Sequence, residues 1–166
     1  MYNNIFKGKY YLSGDSKRMI YEELNAQIDL CRREGISITH ADSHSHVHEN
    51  PELISLIMSL LKSKGINHIR IAANIGTPST YIKIVYRRML NIFIKNSGMP
   101  FSDYFGSVND FDTVDKNYFK DNSLIELMVH PGKILDDRII DVYSGKCLNE
   151  QIKSISKYGD VMSLIN

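Results

Sequence analysis

A helical pattern that stops at a glycine and passes into a short strand-like run occurs three times in this chain. That repeat limits the fold more than any other feature. Asp15 or Ser16 is placed to cap a helix running to about Glu34, with Ile20, Leu24, Ile28 and Cys31 at helical spacing. Gly35 ends it, and Ile36-Ser-Ile-Thr-His-Ala41 reads as a strand. Pro51, with Asn50 as cap, opens a second helix whose apolar stripe is Leu53, Ile54, Ile57, Leu60 and Leu61. Gly65 closes that helix before the strand Ile66–Ala73. Pro78-Ser-Thr80 precedes a third helix reaching Asn96, with Ile82, Val85, Met89, Ile92 and Phe93 on one face; Gly98 and a brief strand, Ser102–Gly106, follow. Alternation of this kind builds parallel sheets, so the expected class is α/β.

The remainder is less regular. Residues 1–14 read as irregular and 107–122 as polar, with a short helix near 113–121. Leu124–Val129 is a strand that Pro131-Gly132 breaks; a helical stretch near 149–157 and an apolar strand-like piece, Val161–Ile165, close the chain. No linker, exact repeat or low-complexity segment divides the 166 residues, so one domain over 1–166 is the simplest expectation.

Composition excludes several partners. With 20 Lys+Arg against 19 Asp+Glu the net charge is +1, too little surplus for a general nucleic-acid binder. No apolar run has the length of a membrane span, and the first residues lack the basic and apolar regions of a signal peptide. Cys31 and Cys147 make no disulfide framework, so a cytoplasmic location is expected.

Four of the six histidines fall within residues 40–48, in Thr-His-Ala-Asp-Ser-His-Ser-His-Val-His. If that segment is extended, His40, Asp42, His44, His46 and His48 share one side. At ~3.3 Å per residue, His40 and His48 would then lie roughly 26 Å apart, too far to share an ion. Neighbours at i, i+2 can share one, with Asp42 orienting a ligand from outside. No cysteine pair accompanies the cluster, so it is not a zinc finger, and it is not the helical His-Glu-x-x-His motif. His130, at the end of an apolar strand and before Pro131-Gly132, is well placed to enter a cleft. Arg70, alternating with Ile69 and Ile71, either pairs with a carboxylate across strands or lines that cleft. His68 reads as a surface or structural residue, and most of the tyrosines as packing.

The segment Thr39–His48 resembles the Thr-His-x-Asp-Ser-His-His-His-Val-His signature of the YdjC-like carbohydrate deacetylases, a family with ChbG and HpnK types. Glu23-Leu-Asn-Ala-Gln-Ile28, Pro51, Gly65–Arg70 and Glu126-Leu-Met-Val-His-Pro-Gly132 follow the family's order, so the similarity covers most of 16–135. The resemblance implies a (β/α) barrel like that of NodB-type deacetylases, here partial. It implies a metal-dependent hydrolase that removes acetyl groups from N-acetylated sugars or oligosaccharides. Such an enzyme uses a divalent ion, Mg or Zn first among the candidates, an acidic base, and a histidine that protonates the leaving amine.

Carried onto this chain, the resemblance makes His44 a metal ligand and gives His130 an acid or transition-state role. Asp42 joins His130 among the catalytic candidates and His48 joins His44 among the ligands, while His40, His46 and Arg70 fall to substrate or outer positions. Ser45 replaces the middle histidine of the family's triple. The family's N-terminal Asp-Asp pair and further ligand histidine have no counterpart before His40; the Asp-Asp pair here is Asp136-Asp137. A second copy, or a chain supplying the missing N-terminal half, is therefore an expected partner. The alternatives are a non-catalytic remnant or partner subunit of a split deacetylase, and an amidohydrolase-like site on His44, His46 and His48.

Overall fold

The computed structural model describes residues 11–76, 80–135 and 138–155. Their contacts gather into two compact units. One comprises the described residues of Met1–Ala72 with Leu90–Phe101, the other those of Ala73–Met89 with Ser102–Asn166.

In the first unit, helix α1 spans Gly14–Arg33. Its cap is Ser13, whose hydroxyl accepts the Ser16 N–H at 3.1 Å, rather than Asp15 or Ser16. Asp15 instead sits in the first turn, where a carboxylate favours the helix dipole. Gly35 (φ +78°) follows, in the left-handed conformation that a helix end uses. Helix α2 spans Pro51–Ser63 and starts as its sequence dictates: Pro51 occupies the first turn, and the Asn50 side chain accepts the Glu52 N–H at 2.8 Å. Its buried stripe is Leu53, Ile54, Met58, Leu60 and Leu61, with Ile57 only half-buried. Each such side chain contributes ~1.5–3 kcal/mol on full burial, so this stripe is a main anchor of the unit.

Strands β1 (His40–Ala41) and β2 (His68–Ile69) pair in parallel, His40 with His68 and Ala41 with Ile69. Both are shorter than the sequence suggests. Ile66, Ile71 and Ala72 are buried all the same. The backbone of Ala72 is satisfied by a side chain: its N–H donates to Asn91 Oδ1 (2.8 Å), and its carbonyl accepts from Asn91 Nδ2 (2.9 Å). Asn91 lies on helix α3, Tyr81–Asn96, whose buried residues are Leu90, Asn91 and Ile94. This overturns the expected face. Ile82, Val85, Met89, Ile92 and Phe93 are exposed, because the helix turns the Asn91 side inward to meet the backbone of Ala72.

In the second unit, β3 (Tyr104–Ser107) and β4 (Ile125–Met128) are parallel, with Phe105 opposite Glu126. Helix α4, Val108–Thr113, begins directly after β3 because Ser107 and Asp110 form a reciprocal capping box. The expected helix near 113–121 is instead this earlier helix and a single 3-10 turn, Lys116–Tyr118. Pro131-Gly132 does more than break a strand. Pro131–Leu135 forms β5, antiparallel to β6 (Arg138–Asp141), with an irregularity between Pro131 and Lys133. Helix α5, Leu148–Ile155, completes the unit.

The described strands thus form three two-stranded sheets, two of them parallel; the architecture is α/β, and these residues close no barrel. Among them no helix is long and apolar enough to cross a membrane. The strand-like stretch at 161–165 and the Asp136-Asp137 pair lie outside the described residues.

Candidate functional site

The register of the first sheet sets the geometry around its strand ends. Asp42 follows β1 and Arg70 follows β2, and the Arg70 N–H continues the ladder by donating to the Ala41 carbonyl at 3.2 Å. The side chains then pair: Arg70 Nη1 donates to Asp42 Oδ2. Arg70 Nη2 donates to the Ser43 carbonyl (3.4 Å) and lies 3.2 Å from His46 Nδ1. The guanidinium side chain is 5% exposed and the Asp42 carboxylate 42%. Of the two expectations for Arg70, the structure shows the cross-strand carboxylate pair. His46 Nδ1 is also 3.1 Å from Glu49 Oε1. Without a proton that nitrogen accepts from Arg70; with one it faces the Glu49 carboxylate.

The histidine run is not extended. Ser43 is the last extended residue, and His44–Glu49 form a 3-10 helix with Ser45 (φ +54°) and His46 (φ +58°) in the left-handed region. The five ionisable residues therefore do not line one side of a strand. His44 is exposed, whereas His48 is 2% exposed. His40 Nδ1 meets the Thr39 hydroxyl at 3.0 Å. Ser43 organises the turn: its Oγ accepts the His48 N–H (3.0 Å) and lies 2.6 Å from His48 Nδ1. Burial lowers the His48 pKa below its ordinary value, and the positive charge of Arg70 lowers it further. The ring is held neutral at neutral pH, with Nε2 buried and without a hydrogen-bond partner.

His130 lies in the second unit, at the mouth of the β5–β6 hairpin. The Val142 N–H donates to the His130 carbonyl at 2.9 Å, which folds Asp141 back beside His130. Asp141 Oδ2 accepts the His130 N–H (2.5 Å) and lies 3.8 Å from the imidazole Nδ1. Its other oxygen accepts from the Tyr143 N–H, the Ser144 N–H and the Ser144 hydroxyl at 2.8–3.1 Å. Burial alone would push this carboxyl up. The hydrogen bonds from Ser144, His130 and Tyr143 outweigh it and hold the Asp141 pKa below its usual value. The His130 ring rests edge-on against Tyr143, with centroids 4.3 Å apart, and its side chain is 37% exposed.

A family model described as "YdjC-like protein" matches residues 2–155. The chain belongs to the YdjC-like family. A protein named "Carbohydrate deacetylase" from Vibrio parahaemolyticus serotype O3:K6 (strain RIMD 2210633) is 37% identical over 43 residues. That match takes in 26% of this chain and 17% of the relative. No solved structure matches the chain.

Within this YdjC-like chain, the structure brings together Asp42, Arg70 and His46, and it joins Ser43 to His48. The donors fit a divalent ion only in part. The orphaned Nε2 of His48 is a nitrogen of the type that ligates a metal, and His44 is exposed on the same 3-10 helix. Asp42, however, is paired with Arg70. Among the described residues, no three His, Cys, Asp or Glu side chains form a group that could hold an ion. The described residues do not fit a complete metal centre. Sequence reasoning missed Ser43, Glu49 and Asp141. Asp141 was detectable as the one acidic residue in Ile139-Ile-Asp-Val-Tyr143, where an apolar stretch keeps a carboxylate only if it is bonded.

Proposed function

We propose that this YdjC-like chain belongs to a hydrolase of the carbohydrate deacetylase type, which removes acetyl groups from N-acetylated sugars or oligosaccharides. Family membership supports the class, and the name of the partly matching Vibrio protein supports the reaction. The single observation that carries it is His130: a part-exposed imidazole beside a buried, fully bonded carboxylate. That is the group amide hydrolysis needs at the leaving side. As water adds to the acetamide carbon and the C–N bond breaks, the departing nitrogen must gain a proton. His130 is the proposed donor. Arg70, Asp42, Ser43 and His48 hold the His44–Glu49 turn in shape, and His40 and His46 are proposed to meet the substrate or the turn's outer face.

In this reading the chain contributes to a NodB-like (β/α) barrel. His44 and His48 are this chain's share of the ligands for a divalent ion, Mg or Zn, and the remaining ligands come from residues outside those described or from a second copy of this chain. The test measures acetate released from N-acetylated chitooligosaccharides by the full chain, with Mg or Zn supplied. His130→Ala should lower turnover by about 10²-fold or more. Unchanged turnover in His130→Ala, or no acetate from the folded wild type with either ion, would overturn the proposal.

A further inference from the structure

We infer that Asp141 is a positioning residue for His130, fixing which imidazole nitrogen faces the carboxylate and which is presented to the substrate. The catalytic consequence rests on the function proposed above; the geometry does not. The β5–β6 register sets Asp141 opposite Pro131, directly beside His130. Asp141 Oδ2 already holds the His130 N–H at 2.5 Å, and the same oxygen is the nearer partner of Nδ1, at 3.8 Å. That separation is an ion-pair distance and not a hydrogen bond. Closing it takes a shift of about an ångström, of the kind catalytic contacts make when substrate binds. Tyr143 packs against the ring, with centroids 4.3 Å apart.

The carboxylate cannot swing away to avoid the imidazole. Its second oxygen is fixed by three donors from Tyr143 and Ser144, and its side chain is 5% exposed. An anion held there favours a proton on Nδ1 in the neutral ring. Nε2 is then the site that carries and delivers the mobile proton: the Nε2–H bond breaks, the electron pair of the broken C–N bond takes the proton, and neutral His130 remains as the Nδ1–H tautomer.

The test is nitrogen-15 NMR of the imidazoles in the full, histidine-labelled chain at neutral pH. Wild type should show His130 with its neutral-form proton on Nδ1; a proton on Nε2 would overturn the inference without any variant being needed. In Asp141→Asn, Oδ1 remains the acceptor for Tyr143 and Ser144, so the amide NH₂ takes the Oδ2 place, gives up the bond from the His130 N–H and faces the ring. The tautomer should then switch to Nε2–H. Turnover should fall about tenfold or more with KM changed less than about twofold. Ser144→Ala keeps the carboxylate while loosening the turn, and it should leave the tautomer unchanged. A tautomer unmoved by Asp141→Asn, or moved equally by Ser144→Ala, would reduce Asp141 to a turn-former. A wild type with the Nδ1–H tautomer that releases no acetate would instead sink the functional reading and leave this one standing.

Discussion

Arg70 and Asp42 close an ion pair just past the ends of two parallel strands, with the guanidinium buried and the carboxylate half in water. The asymmetry has a consequence. Asp42→Ala leaves a charge inside the fold without its carboxylate and should cost ~3 kcal/mol. Arg70→Met replaces that charge with apolar volume and leaves Asp42 to solvent, so it should cost less, about 1–2 kcal/mol. Urea unfolding of both variants checks the order. Equal losses, or a larger one for Arg70→Met, would contradict it.

Asn91 satisfies both backbone groups of Ala72 with its side-chain amide. Asn91→Leu is close in volume, but it strips both partners from the buried backbone of Ala72. The expected loss is about 2–5 kcal/mol, far more than for Asn96 at the exposed end of the same helix. Thermal unfolding of Asn91→Leu and Asn96→Leu makes the comparison.

Ser43 supports His48 through a single oxygen. Ser43→Ala removes the acceptor of the His48 N–H and the partner of its Nδ1 in a residue almost without solvent contact. A destabilisation of about 1–3 kcal/mol follows. The His48 imidazole resonances should broaden or shift as the turn loosens, and unchanged resonances would show that the hydroxyl does not hold the ring.

The low pKa of Asp141 sets the sign of an acid dependence. Its folded value lies below the ordinary one, so the unfolded chain binds the proton first as pH falls. Asp141 therefore contributes stability that is complete above the ordinary carboxylate value of 3.8 and is lost as pH drops through that value toward the folded one. The gap between the unfolding midpoints of wild type and Asp141→Asn should narrow as pH falls from about 5 to about 3. A constant gap over that range would contradict the assignment.

Much of the fold was legible because local signals were self-sufficient. Asn50-Pro51 starts α2 through one side-chain bond, and Gly35 and Gly65 end helices with positive φ. The misses came where one residue's environment lies far along the chain. Nothing local shows that Asn91 will turn α3 against its own apolar face, since the reason is the backbone of Ala72. The period-2 reading of the histidine run failed at Ser45 and His46 because Ser43 folds the chain back to His48. Arg70's carboxylate partner was foreseen as one of two options, and the parallel register made it Asp42. The role of Asp141 depends on the β5–β6 pairing, whereas Pro131-Gly132 reads in the sequence only as the break of the preceding strand.

The measurement that tests the central claim most directly is product analysis on a fully N-acetylated chitooligosaccharide incubated with the full chain and a divalent ion. The account predicts acetate and new primary amine in equal amounts, with both strongly reduced in His130→Ala. Cleavage of glycosidic bonds without acetate, or no product from folded protein, would contradict it.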